Sequence, residues 1–148
     1  MPFRFSLQAV LDYRQSLEHN EEVLLQAANQ EVERARHRID DFDQWTTLRR
    51  CQREQEMLFS TSSAELQFET LCDAVMHGQR EVLRQEVSRL EEFRVVRMAA
   101  LRQARLQREI LDCLRSHELE VYSQWQSRQD QRRSDDLFLL RRSFLPRG

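Results

Sequence analysis

Apolar residues recur along the first part of the chain at mixed spacings of three and four positions. Spacing of this kind places apolar side chains on one face of a helix and leaves the other faces polar. The pattern predicts one continuous helix over about residues 5–58. The stripe consists of Leu7, Val10, Leu17, Leu24, Ala28, Val32, Ala35, Ile39 and Phe42.

The periodicity stops in a serine-rich segment that follows Phe59. Ser62 and Glu65 have the spacing of a capping box, in which each side chain accepts a hydrogen bond from the other residue's backbone N–H. We therefore expect a turn over about residues 59–64 and a second helix over about residues 64–143. The apolar stripe of this second helix is broader and runs from Leu66 to Trp125.

Two long helices joined by a short turn should fold back on each other, because neither can bury its apolar stripe alone. The predicted fold class is all-α, with two long helices in an antiparallel coiled-coil hairpin and a single elongated domain over residues 1–148. With the turn centred after Thr61, residue i faces about residue 123 minus i. Glu18 should then face Arg105, and Glu21 should face Arg102. The second helix is longer, so about residues 117–145 should project past the start of the first.

The amino-acid composition excludes several classes of fold and function. The 148 residues include only 2 Gly and 2 Pro, which is too few for the turns of a many-stranded fold or for a glycine-rich phosphate-binding loop. All 23 basic residues are Arg, and the formal net charge is -2. No apolar run approaches the length of a membrane span or of a secretory signal, so we expect a cytosolic protein.

Three small groups of residues could in principle bind a metal or carry chemistry, but we favour a structural or surface role for each. Cys113 and His117 have a metal-ligand spacing, but no second pair lies near them in sequence. Cys51 and Cys72 would face each other across the hairpin, either as a thiol pair or as small seam residues. The acidic run at residues 40–43 has no closed pocket in a rod. We therefore expect no metal, no cofactor and no enzymatic activity.

The C-terminal segment is locally basic. Residues 126–148 carry six arginines and three acids beside the apolar run 137–140. Nucleic-acid binding would need denser positive charge, and a membrane anchor would need a cleaner polar face. A solvated tail is a further alternative. We favour docking of this helix end into an acidic, partly apolar protein collar.

Aromatic and aliphatic residues gather near the predicted turn, on both helices. Because each helix buries one seam, a broad apolar set on both predicts a surface for another protein. The alternative is a locally thicker core. The candidate residues are Phe42, Trp45, Phe68, Leu71 and Val75.

The N-terminal segment 3–14, FRFSLQAVLDYR, resembles the opening of the flagellar export proteins of the FliJ family, whose members often begin F-x-F-x-L-x-x-V-L-x-Y-R. The size, the Glu/Gln/Arg-rich helices, the mid-chain break and the segment 132–137, RRSDDL, are also similar to that family.

The resemblance implies a non-enzymatic stalk of the flagellar type III export apparatus, similar to the coiled coil of the rotary ATPase γ subunit. Implied partners are the hexameric ATPase FliI, the cytoplasmic domain of the export gate FlhA, and export chaperones, with no nucleic acid. It implies a cytoplasmic location, peripheral at the inner membrane through the apparatus. Alternatives are an injectisome stalk, a homodimeric tether or scaffold, and a hairpin that holds unfolded clients.

Two contact surfaces follow from the resemblance and the residues together. The residues 42, 45, 68, 71 and 75 named above are candidates for the export-gate contact. The start of the first helix should pack near residues 114–121 of the second. Candidates for the ATPase-ring contact are Phe3, Phe5, Arg128, Arg132, Arg133, Arg141 and Arg142.

Overall fold

The computed structural model describes residues 2–59 and 61–144. Helix α1 spans Gln8–Met57 and helix α2 spans Ser63–Phe144, and the described residues contain no strand. The predicted all-α class, with two long helices in a hairpin, is confirmed.

The start of α1 differs from the prediction. The helix begins at Gln8 instead of residue 5. Residues 2–5 are irregular, and a turn at Ser6 and Leu7 leads into the helix, with the Gln8 N–H donating to the Phe5 carbonyl at 3.3 Å. The physical reason is that the Phe5 side chain packs into the core, which the irregular backbone allows. The other three helix ends lie within one residue of the predicted positions.

The capping box at the start of α2 is confirmed. The Ser62 N–H donates to Glu65 Oε2 at 2.9 Å, and the Glu65 N–H donates to Ser62 Oγ at 3.3 Å. These two bonds satisfy backbone donors that the first turn of a helix otherwise leaves unpaired. Ser60, within the predicted turn, lies outside the described residues.

The described chain divides into two compact units. The turn unit contains residues 19–59 and 61–102, and the terminal unit contains residues 2–18 and 103–144. Each contains a segment of α1 and a segment of α2.

The turn unit is held by a narrow apolar seam and by ion pairs across it. Ala28, Val32 and Ala35 of α1 are buried, and small side chains of this kind allow two helices to approach closely. Arg80 Nε lies 2.7 Å from Asp43 Oδ1, so that residue 43 faces residue 80 as the predicted register requires. The helices are therefore antiparallel within this unit.

The terminal unit has a core of Phe5 and Leu11, which are both buried. Arg105 Nε lies 3.2 Å from Glu18 Oε1, which confirms the predicted pair. Glu18 also accepts a hydrogen bond from Arg108, which in turn bonds to Asp112 one turn further along α2. Sequence reasoning missed this three-residue network, although the spacing of Arg108 and Asp112 is a helical ion-pair signal.

The predicted pair of Glu21 with Arg102 is wrong. Glu21 Oε2 lies 3.8 Å from Arg97 Nη1, and Arg97 precedes the expected partner by five residues. Arg102 is exposed instead. The reason is that several arginines of α2 lie within two turns of Glu21, and the half-buried carboxylate, whose Oε2 atom is shielded from solvent, pairs with the one that its packing brings within reach.

Candidate functional site

The turn-proximal surface comprises Phe42, Trp45, Phe68, Leu71 and Val75, all in the turn unit. Phe42 is half-buried, whereas the other four side chains are between 47% and 67% exposed. A locally thicker core would require these side chains to be covered. The structure instead leaves them in contact with solvent, available to another protein.

On α1, Trp45 is held between two neighbours. Its ring centroid lies 6.0 Å from that of Phe42, with the rings tilted by 38°. The Arg49 guanidinium lies over the indole, 5.2 Å from the ring centroid. Contacts of this kind restrict the indole without burying it. Sequence reasoning missed the role of Arg49, although its spacing of four residues from Trp45 is a helical pairing signal.

On α2, the residues of this surface are displaced from the face that packs on α1. Half-buried residues such as Cys72 and Met76 form the packing face. Because a helix turns by about 100° per residue, Leu71 and Val75 lie roughly 100° to one side of it. Trp45 is displaced from the packing face of α1 by a similar angle in the same sense. In an antiparallel pair, such positions lie on the same side.

Two of the ion pairs, Asp43 with Arg80 and Arg36 with Glu91, lie on the opposite side of the turn unit. Both guanidinium nitrogens of Arg80 that face Asp43 donate to its carboxylate, at 2.7 and 3.0 Å. This bidentate hydrogen bonding holds the pKa of Asp43 below its ordinary value and raises the pKa of Arg80. Arg36 donates a single hydrogen bond from Nη2 to Glu91 Oε1 at 2.6 Å, and this contact raises the pKa of the Arg36 guanidinium.

A groove of about 720 Å³ lies between the two helices near the turn. Phe42 and Met76 supply part of its lining, and Arg50, His77 and Arg80 supply polar atoms. Between Ile39 and Arg80, no described residue is buried. The helices therefore pack more loosely here than around Val32.

In the terminal unit, the predicted packing of the N-terminal segment against α2 is observed slightly further along than expected. The Phe3 ring lies 5.6 Å from Tyr122, and Tyr122 lies 6.1 Å from Trp125, between ring centroids. Phe5 is a core residue of this unit. While packed, it can support a partner contact only by positioning its neighbours.

The end of α2 is exposed on every side. All residues from 130 to 144 are exposed, including the apolar run 137–140. None of the candidate ring-contact arginines, at positions 128, 132, 133, 141 and 142, forms an ion pair with another described residue. Arg147, the sixth arginine of this basic stretch, lies outside the described residues.

The other reactive groups remain isolated within the described chain. Cys51 and Cys113 are exposed and Cys72 is half-buried, and all three thiols are free. No three His, Cys, Asp or Glu side chains among residues 2–59 and 61–144 converge as a set of metal ligands. Neither described helix has a stretch that is long and apolar enough to cross a membrane.

Comparison of the chain with protein-family models, curated proteins and solved structures gives no match.

Proposed function

We propose that the chain is a non-enzymatic component of the flagellar type III export apparatus, a stalk that acts within the ring of the hexameric FliI-type ATPase. The observation that carries this proposal is the exposed end of α2. Five arginines on residues 128–142 have no ion-pair partner among the described residues, and they flank an exposed apolar run.

A collar of equivalent subunits suits such a helix end. Inside such a ring, one asymmetric helix faces several identical subunit surfaces. Tight directional contacts would trap the helix against a single subunit. Attraction between arginines and acidic loops is long-ranged and tolerant of angle, and salt screens it over roughly 8–10 Å. Arginines without an ion-pair partner that flank a short apolar run therefore support a contact of this kind.

The turn-proximal surface is the proposed contact for the cytoplasmic domain of the export gate FlhA, and export chaperones are further proposed partners. Its four apolar side chains are exposed in the free protein. On binding they would become the buried anchors that dominate the energy of protein interfaces. In this proposal the protein is peripheral at the cytoplasmic face of the inner membrane, through the apparatus alone.

The test is stimulation of the purified FliI-type ATPase by the full chain. A variant with Arg132, Arg133, Arg141 and Arg142 changed to Gln keeps helix propensity and removes four charges. We expect the variant to lose most of the stimulation at physiological salt. The matched control changes four exposed turn-unit arginines to Gln, at positions 50, 84, 89 and 102.

The control set has the same charge change and the same residue type, so it measures the effect of net charge alone. Full stimulation by the α2-end variant, with unchanged salt dependence, would refute the docking proposal. Equal loss in both variants would also refute it, because the effect would then come from overall charge and not from the helix end.

A further inference from the structure

A second apolar line on α2 lies in the terminal unit, away from the face that packs on α1. Ile110 is 67% exposed, and the other apolar members of the line are 39–55% exposed. The half-buried residues Arg108, Leu111 and Tyr122 mark the packing face instead. We call this line the outer seam; it consists of Leu106, Ile110, Leu114, His117, Val121 and Trp125.

The spacing of the outer seam is a palindrome. Successive members lie four, four, three, four and four residues apart, and the series is the same when it is read from either end. We propose that the outer seam pairs antiparallel with the outer seam of a second copy of this chain. Residue i then faces residue 231 minus i, about a two-fold axis between positions 114 and 117.

Size and polarity are complementary in this arrangement. Leu106 meets Trp125 of the second copy, Ile110 meets Val121, and Leu114 meets His117, so that each polar or large residue faces an aliphatic one. A parallel pairing would instead set Trp125 on Trp125 and His117 on His117. It would also bring the two basic α2 ends side by side.

Charge also favours the antiparallel arrangement. The seam contains no Asp, Glu or Arg. Under the same register Glu109 lies across from Tyr122, and Glu118 lies across from Cys113. Every charged residue between 105 and 126 faces an uncharged one in this register, so like charges are not opposed.

A hollow beside the seam provides an independent reason for this pairing. It has a volume of about 440 Å³, and Phe3, Val121 and Trp125 supply apolar surface while Arg4 and Glu118 line its polar part. In the antiparallel register it faces Ile110 and Leu106 of the second copy. An aliphatic side chain that enters the apolar part of this hollow would pack much as a knob packs into a hole between long helices.

The area of the seam sets the expected affinity. Its exposed apolar side chains offer roughly 500 Å² from each copy, or about 1,000 Å² in all, near the lower limit of specific interfaces. We therefore expect a concentration-dependent dimer that dissociates in the micromolar range.

Sedimentation equilibrium of the full chain tests this inference. The mass should rise from 17.9 kDa toward twice that value as the concentration increases through the micromolar range. Ile110→Glu should weaken the dimer about tenfold or more. Leu48→Glu is the matched control, because Leu48 is 65% exposed but lies in the turn unit, and this variant should not change the dissociation constant. His117→Leu should tighten the dimer, because a polar side chain then no longer faces Leu114.

Cysteine crosslinking tests the orientation in a background with Cys51, Cys72 and Cys113 replaced. A mixture of Ile110→Cys and Val121→Cys copies should form the mixed disulfide in preference to either self-pair. A monomer at all concentrations, preferential bonding of residue 110 to itself, or equal weakening by Leu48→Glu would each overturn the proposal. The assays contain no ATPase, so this inference does not rest on the proposed function and the two can fail separately.

Discussion

Two valines of the turn unit provide a direct test of which helix face carries its stability. Val32 is fully buried between the helices, whereas Val82 is 65% exposed on α2. Both lie in the interior of long helices, so Val→Ala changes helix propensity by the same amount at each site, roughly 0.5 kcal/mol in favour of Ala. The difference between the two variants therefore isolates the packing contribution.

The magnitude follows from the buried area. Val→Ala removes two methyl groups and adds back hydrogen, which at a fully buried site costs about 1.6 kcal/mol of transfer free energy plus a cavity contribution. At Val82 the same change removes largely solvated atoms and costs about a third of that. We expect Val32→Ala to be less stable than Val82→Ala by about 1–2 kcal/mol.

The assay is urea denaturation followed by circular dichroism at submicromolar protein, below the concentration range in which the dimer is expected to form. The comparison uses the transition midpoints together with the m-values, because a changed m-value would indicate an altered unfolded or native state. Equal midpoints for the two variants would refute the antiparallel packing described for the turn unit. A lower midpoint for Val82→Ala would have the same consequence.

Two further predictions concern the turn unit. Changing Phe42 and Trp45 to Ala should weaken the proposed binding to the FlhA cytoplasmic domain by about 2 kcal/mol or more, measured by calorimetry, while ATPase stimulation stays intact. Loss of both FlhA binding and ATPase stimulation, together with reduced helicity, would show that these residues serve folding. Because Arg80 lowers the pKa of Asp43, the pair stabilises the fold above the ordinary aspartate pKa, and this contribution disappears as the pH falls through the lowered value. The urea midpoint of the unchanged protein should therefore fall more between about pH 7 and pH 3 than that of Asp43→Asn, and parallel pH profiles would contradict this assignment.

Local sequence signals predicted the helix boundaries well where the relevant interactions are themselves local. The capping box of Ser62 and Glu65 joins residues three apart, so its spacing alone predicts both hydrogen bonds. The start of α1 was harder to predict. Whether residues 5–7 are helical depends on the burial of the Phe5 side chain in the core of the terminal unit, and periodicity along α1 does not report that burial.

The same distinction applies to the candidate surfaces. The apolar residues near the turn could be identified from the sequence, but periodicity could not decide whether they form a core or a surface. The broad stripe of α2 covers more than one helix face, and α1 is wide enough to bury only one of them. The tertiary pairing decided that Cys72 and Met76 turn inward and that Leu71 and Val75 stay exposed.

By itself, the sequence determined two long helices, their antiparallel register and the position of the turn, because periodicity, capping and the scarcity of Gly and Pro act over a few residues each. Tertiary structure alone decided which arginine pairs with Glu21, that Phe5 is buried, and which side of α2 is left uncovered. These outcomes depend on side chains that meet across the helix pair, where several partners lie within reach and differ by little free energy.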